Sequence, residues 1–326
     1  MNSSGHRSLL LILALSLAQG LCTLASPFDA PPQQKKGPDG KPTSCTSEIV
    51  LLSVTVEDAS RHPVEDLRHE DFTVFDKDEP QQIAFFTDED YARKVAIVVD
   101  RSISRRNGYP TLLDTLIESI VRMKEDSKAL NEYFIIGADG SPKLVTDWTR
   151  GSLIESFSQA AFNEPAPYRS VYDSCRLALE KLEKNWTNGS VILLIGDGHE
   201  AFTKASYRNL RKSVAGSGSL FYSISLANVN DAPAVNGLKT LAAVSGGGAL
   251  FTKSANELSD FLSRVAIELR HQYRVGYYPI DNKHDGKWHS INVVASNATD
   301  DRPGQILFVR TCAGYYAPKP TAAIPQ

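Results

Sequence analysis

The chain has 326 residues, 42% of them hydrophobic, enough to bury a core of ordinary size in one large domain or two smaller ones. Its 35 Lys and Arg against 38 Asp and Glu leave a formal net charge of −3. That near balance excludes the basic footprint of a nucleic-acid binder and the profile of a strongly acidic tail protein.

At the N-terminus His6 and Arg7 precede a short apolar run, Leu9–Leu17, and small residues follow at Ala18, Gly20, Thr23 and Ala25. This reads as a secretory signal over residues 1–25, cleaved after Gly20 or Ala25. The run is too short to span a bilayer, and no other segment is apolar enough to cross one. Cys22 suggests a lipid anchor, but Leu21 before it is a poor fit for that cleavage. The chain is therefore expected to be exported, to the periplasm, the cell envelope or the medium. Residues 26–46, which include SPFDAPPQQKKGPDGKPTS, lack periodicity and read as a flexible tether.

A strand-rich unit is expected over 47–90. EIVLLSVTVE (48–57) alternates, and 71–75 and 82–86 are strand-like with polar turns between them. From Lys94 strands and helices alternate. Val95–Val99 is a continuous β-branched run, the mark of a strand buried on both faces. Strands follow at 133–136, 191–195, 220–226 and 250–251. Helical spacing covers 112–123, 153–162, 171–182, 207–214, 238–244 and 258–269. The pattern predicts an α/β domain over 91–270 with a doubly wound, mostly parallel sheet. After Arg270 strand character returns at 273–278, 290–295 and 306–309. A C-terminal β-unit over 271–318 is expected to pack with 47–90 as a small β-sandwich, ahead of a tail over 319–326. Cys45 and Cys312 flank the outermost parts of this arrangement and are the best candidates for a disulfide, which export permits. Cys175 falls in a helical pattern and reads as a buried free thiol.

Two buried strands end in an aspartate. VAIVVD ends at Asp100, and VILLIGDG carries Asp197 just past its last apolar residue. In an open parallel sheet, ligands bind outside the carboxyl ends of the strands, so both carboxylates are expected at one edge. Ser102 and Ser104 follow Asp100 at alternate positions. These groups offer only oxygen, which suits a hard cation such as Mg²⁺, with Mn²⁺ or Ca²⁺ as variants.

The D-x-S-x-S run at Asp100–Ser104, the later strand ending in Asp197-Gly198 and the strand–helix alternation resemble the von Willebrand factor A domain and its metal-ion-dependent adhesion site. The flanks HPVEDLRHEDFTVFDKDEPQQIAFF (62–86), IELRHQYRVGYYP (267–279), DGKWHSINV (285–293) and GYYAP (314–318) resemble the exported "VWFA-related" subfamily described from Acidobacteria. The resemblance covers roughly residues 47–318. It implies that Asp100, Ser102 and Ser104 ligate a metal directly or through water, with Asp197 beside the ion. It also implies that an open coordination position accepts a carboxylate from a protein partner. The family's threonine ligand, in a G-G-T-x-x-Y-D type run, is replaced: the run here is PYRSVYD (167–173), with Arg169 at the threonine position. Ser170 next door is the substitute oxygen, although neighbouring positions at a helix start point in different directions. Arg101, Arg105 and Arg106 crowd the same edge, and positive charge there weakens metal affinity.

The expected function is a non-enzymatic adhesion module. The alternative is a structural or assembly protein whose A domain has lost its ion. His199 and Glu200 beside Asp197 raise a third reading, a metal-assisted hydrolase. No G-x-S-x-G elbow supports a serine nucleophile, and SGGGAL (245–250) lacks the Lys-Ser/Thr of a phosphate loop. The tyrosines and tryptophan of 273–278, 288 and 315–316 read as a β-core.

Overall fold

The computed structural model describes residues 49–100, 109–126, 131–159, 170–183, 189–196, 206–225, 232–281, 284–296 and 306–319. The predicted signal, the tether and Cys45 lie outside these residues. From Ser47 on the chain forms one compact unit. Among the described residues no helix is long and apolar enough to cross a membrane.

Strands from both ends of the chain build two four-stranded antiparallel sheets. One has the order β13(Phe308–Arg310), β1(Val50–Glu57), β11(Tyr273–Tyr277), β4(Ile83–Thr87), and the other β14(Gly314–Tyr316), β12(Trp288–Ala295), β2(Phe72–Asp76), β3(Glu79–Gln81). Inward positions of both sheets share one core. Leu52, Val54 and Val56 of β1 and Tyr273, Val275 and Tyr277 of β11 meet Phe72 and Val74 of β2 and Ile291 and Val293 of β12. The alternation of β12 is plain: His289, Ile291 and Val293 are buried, while Ser290, Asn292 and Val294 are exposed. The β2–β3 hairpin, absent from the expected elements, closes through Lys77 and Asp78 at φ 50 and 67. Positive φ at both central residues is the type I′ requirement, met here without glycine.

Between these β segments lies a six-stranded sheet of order β10(Ala249–Phe251), β9(Leu220–Ser225), β8(Ser190–Ile195), β5(Lys94–Val99), β6(Glu132–Asp139), β7(Ser141–Thr149). All neighbours are parallel except β6 and β7. The edge strand β7 was not expected. Its sequence SPKLVTDWT is polar, and Pro142 is tolerated because an edge strand leaves ladder positions unpaired.

β5 is buried on both sides, as its unbroken β-branched run requires. Val95, Ile97 and Val99 pack with Leu116, Ile120 and Met123 of α1(Tyr109–Asp126), Leu153 and Phe157 of α2(Leu153–Gln159), and Leu258, Leu262 and Val265 of α6(Ala255–Arg270). Ala96 and Val98 face Val171, Cys175, Ala178 and Leu182 of α3(Val171–Glu183), with Leu210 and Val214 of α4(Tyr207–Ser217) and Leu238 and Leu241 of α5(Ala232–Ser245) on the same side. Each fully buried Val, Ile or Leu contributes about 1.5–3 kcal/mol, so these two apolar layers fix where the strand ends fall. The spacing of Val171, Cys175, Ala178 and Leu182 gives α3 its single apolar face. Local signals set the other limits. Ser206 caps α4 by accepting the Asn209 N–H at 3.3 Å, Gly218 ends it in the left-handed conformation at φ 66, and Ser254 caps α6 in the same way.

The free thiol of Cys175 is buried, as expected for its helix. Cys312 is also a free thiol, partly buried against the sandwich core; its expected partner Cys45 lies outside the described residues.

Candidate functional site

The strand order locates the site. β5 is the first strand of the six-stranded sheet; the chain adds β6 and β7 on one side of it, then returns to add β8, β9 and β10 on the other. The order therefore reverses between β5 and β8. A crevice opens outside the carboxyl ends of strands at such a reversal, because the chain leaves the two neighbours in opposite directions.

Asp100 sits at that point. It follows Val99 directly and is fully buried. Val99 and Ile195 are register partners, and the Asp100 N–H extends the ladder by donating to the Ile195 carbonyl at 2.8 Å. The carboxylate is thus carried by a strand that is packed on both faces and paired on both edges. Beside it lies Gly196. A Cβ at Gly196 would come 3.1 Å from Asp100 Cβ and 3.7 Å from Oδ2, so only glycine leaves the flank of the carboxylate clear. Gly196 in turn donates its N–H to Ile224 at 3.0 Å, and β9 ends one residue later at the buried Ser225. Sequence reasoning did not single out Gly196. Its role depends on the β5–β8 register, and the local signal was only that a glycine follows the apolar run VILLI.

Ser170 is the second described member of the expected set. It is fully buried at the start of α3, and its carbonyl accepts the Ser174 N–H at 2.9 Å as the first turn of the helix requires. Among the described residues its Oγ has no hydrogen-bond partner, and neither does the buried Ser174 Oγ one turn later. Capping serines ordinarily turn the hydroxyl back onto the helix N–H groups, so Ser170 holds a hydroxyl oxygen in reserve. Asp173 is nearly buried in the same first turn, with Arg176 Nε 4.0 Å from its Oδ1.

Ser102, Ser104, Asp197, Arg169, His199 and Glu200 lie outside the described residues. Among the described residues, no group of three or more His, Cys, Asp or Glu converges on a point that could hold a metal. What the described part offers is a buried carboxylate and a buried, unbonded hydroxyl, both oxygen. That donor chemistry fits a hard divalent cation and suits a soft metal poorly.

No family model matches the chain, and no curated protein matches it. Solved structures with a similar arrangement include von Willebrand A-type domains. The vWF domain of the type V pili tip protein Mfa5 from Porphyromonas gingivalis is 11% identical, covering 54% of this chain and 94% of that one, with a TM-score of 0.44. Proximal thread matrix protein 1 from the mussel byssus is 12% identical over 58% of this chain, with a TM-score of 0.45, and the match spans about half (48%) of that protein. An aerotolerance-related membrane protein from Bacteroides fragilis is 14% identical, covering 55% of this chain and 98% of that one, with a TM-score of 0.40. At this level of identity and superposition what those proteins do does not transfer, and only this chain's own residues bear on function.

Proposed function

We propose that the chain is an exported, non-enzymatic binding module of the "VWFA-related" kind, built on a doubly wound sheet. Its strand-end edge around Asp100 would take Mg²⁺, or Mn²⁺ or Ca²⁺, and through the ion an acidic side chain of a protein partner. The observation that carries this reading is the fully buried Asp100 carboxylate at the reversal of strand order, with Gly196 clearing its flank.

In this reading Asp100 supplies the anionic oxygen, Ser102 and Ser104 add hydroxyls from the loop that follows, and Asp197 adds a second negative charge past β8. Ser170 takes the place of the usual threonine with its unbonded hydroxyl. A bound divalent cation would supply a fixed positive charge and an open coordination position for the partner's carboxylate. Affinity and direction then come from electrostatics, and no bond is made or broken. The expected signal over 1–25 would deliver the module outside the cytoplasm.

Arg169 at the usual threonine position favours a second reading, a metal-free A domain that serves as a structural or assembly element. There the guanidinium, unable to ligate a cation, would neutralise the acidic edge in place of the ion. Titration calorimetry with Mg²⁺ and Mn²⁺ separates the two. Heat of binding in the wild type, lost in Asp100→Ala, supports the adhesion module. No heat and no thermal shift in the wild type, with binding gained in Arg169→Thr, supports the metal-free element.

A further inference from the structure

A cavity of about 260 Å³ opens at the far end of β8 from Ile195, between the start of β1, β11, the C-terminus of α4, and β14. It is small beside the roughly 300–1,000 Å³ of pockets for drug-sized ligands. His289 and Tyr315 touch it but are already committed to a buried polar group. Asp76 Oδ2 accepts the hydroxyls of Tyr277 and Tyr315, each at 2.9 Å, and His289 Nδ1 lies 2.9 Å from Asp76 Oδ1.

Arg274 and Ser53 are placed differently. They are register partners on β11 and β1, and both are on the cavity wall. Directly opposed residues of an antiparallel pair project from the same face, with Cβ atoms roughly 4.5–5.5 Å apart. Their neighbours Tyr273 and Val54 face the sandwich core, so Arg274 and Ser53 face away from it, on the side of the wall residue Leu51. The guanidinium is located independently of the register. Its carbon stands 4.4 Å over the Tyr91 ring and 6.0 Å from that of Phe85. The Tyr91 ring lies so close to Gly189, another wall residue, that any Cβ there would overlap it.

Stacking uses the face of a guanidinium and leaves its N–H donors, which lie in the plane, for another partner. Arg274 and Ser53 are half-buried, not sealed. Among the described residues no hydrogen bond or ion pair engages the Arg274 nitrogens or the Ser53 hydroxyl, and none of these atoms is closed off from water. Arg93 brings a second cation to the same ring, its guanidinium carbon 4.2 Å over Tyr91 and its Nη1 donating to Tyr91 OH at 2.9 Å. Burial presses the Arg274 pKa below the usual arginine value and the Arg93 charge adds to this, against the effect of Tyr91; an anion beside Arg274 would oppose both.

The rest of the wall limits what that anion can be. α4 ends there at Ser217 and Gly218 with no basic residue in its last turn, so its terminal carbonyls keep their partial negative charge. Asp281 adds a carboxylate. Both work against a multiply charged anion such as phosphate. Ile49, Leu51 and Pro279 supply an apolar side. A single carboxylate on a short apolar body meets these conditions, with its two oxygens on the guanidinium fork and the Ser53 hydroxyl as a further donor.

We propose that this cavity is a second ligand site, separate from the strand-end edge, and that it takes the anion of a small monocarboxylic acid through Arg274 and Ser53. Isobutyrate and benzoate serve as probes, with benzylamine as the control of opposite charge and inorganic phosphate as the control of higher charge. The readout is the Arg274 Nε–H resonance and the backbone amide resonance of Leu51. At least one carboxylate is expected to move both resonances saturably; benzylamine is expected to move neither, and phosphate to bind more weakly. Ser53→Ala, followed at Leu51, is expected to weaken that carboxylate about tenfold with an unchanged melting temperature. Arg274→Lys, which keeps the charge and loses the fork, is expected to weaken it about as much. If the lysine variant does not fold, Ser53→Ala decides alone. The proposal is overturned if neither carboxylate moves the resonances, if benzylamine or phosphate binds as tightly, or if the folded variants bind the carboxylate as the wild type does.

Discussion

Glu268 on α6 joins the β-sandwich to the α/β sheet, and removing it is expected to cost more stability than any surface change. Its Oε1 accepts Tyr222 OH of β9 at 2.5 Å and Thr55 Oγ1 of β1 at 3.1 Å. Its Oε2 lies 2.6 Å from Arg310 Nη2 of β13, with the two side chains 9% and 30% exposed. Burial works against the Arg310 charge, yet Glu268 and Tyr222 beside it hold its pKa above the usual arginine value. Glu268→Ala leaves that guanidinium, among the described residues, with the Gly247 carbonyl, which it meets through Nη1 at 2.5 Å, as hydrogen-bond acceptor and the Glu57 carboxylate as its remaining charge partner. Breaking a buried pair by removing one partner costs roughly 3–5 kcal/mol. Arg310 keeps some access to water, which places the expected loss at the lower end, about 3 kcal/mol. Arg310→Met in the Glu268→Ala background removes that charge and is expected to recover more than half of that loss. Urea denaturation followed by far-ultraviolet circular dichroism measures both, with an unchanged dependence on denaturant. A loss below about 1 kcal/mol for Glu268→Ala, the range of an exposed pair, would show that Glu268 and Arg310 do not act as a buried pair. So would a double variant whose cost is the sum of the two single ones.

Three further outcomes follow from the same geometry. Gly196→Ala is expected to leave the melting temperature nearly unchanged, because the entropic gain of about 0.4–1 kcal/mol is offset by the 3.1 Å approach to Asp100 Cβ; the same displacement is expected to weaken Mg²⁺ about tenfold by calorimetry, and unchanged affinity would count against the role given to Gly196. Burial holds Tyr133 and Tyr273 up to about 12 and pushes Tyr222, Tyr277 and Tyr315 higher still. The native state therefore keeps protons that the unfolded chain releases above about pH 10, so stability is full below that pH and falls as pH rises through 10 to 12, by roughly 1.4 kcal/mol per pH unit for each such tyrosine; a flat denaturation profile between pH 9 and 11.5 would contradict this. Cys175 is expected to resist alkylation until the chain unfolds, and the expected Cys45–Cys312 bridge would add two alkylation sites on reduction, read by mass spectrometry.

The strands that were legible in the sequence are those whose burial is written locally. Val95–Val99 and Val191–Ile195 are apolar without interruption because helices cover both faces, and that same run delivers Asp100 to its end. β3, β7 and β14 were not legible. EPQ, SPKLVTDWT and GYY become strands only because a partner strand lies beside them, and their polar or short sequences carry no period-2 signal. The site divides the same way. Asp100 stands out where an apolar run stops, whereas Gly196 matters only through the Val99–Ile195 register. The group around Asp76 was missed for a related reason. Tyr277, His289 and Tyr315 come from 201, 213 and 239 residues away in the chain, and the two tyrosines read simply as aromatic core.

Whether the edge at Asp100 holds a divalent cation is decided by an anomalous difference map from crystals soaked in Mn²⁺. A peak is expected against the Asp100 carboxylate and the Ser170 hydroxyl, absent in Asp100→Ala crystals. A map with no peak at that edge, or with the ion elsewhere, would contradict it.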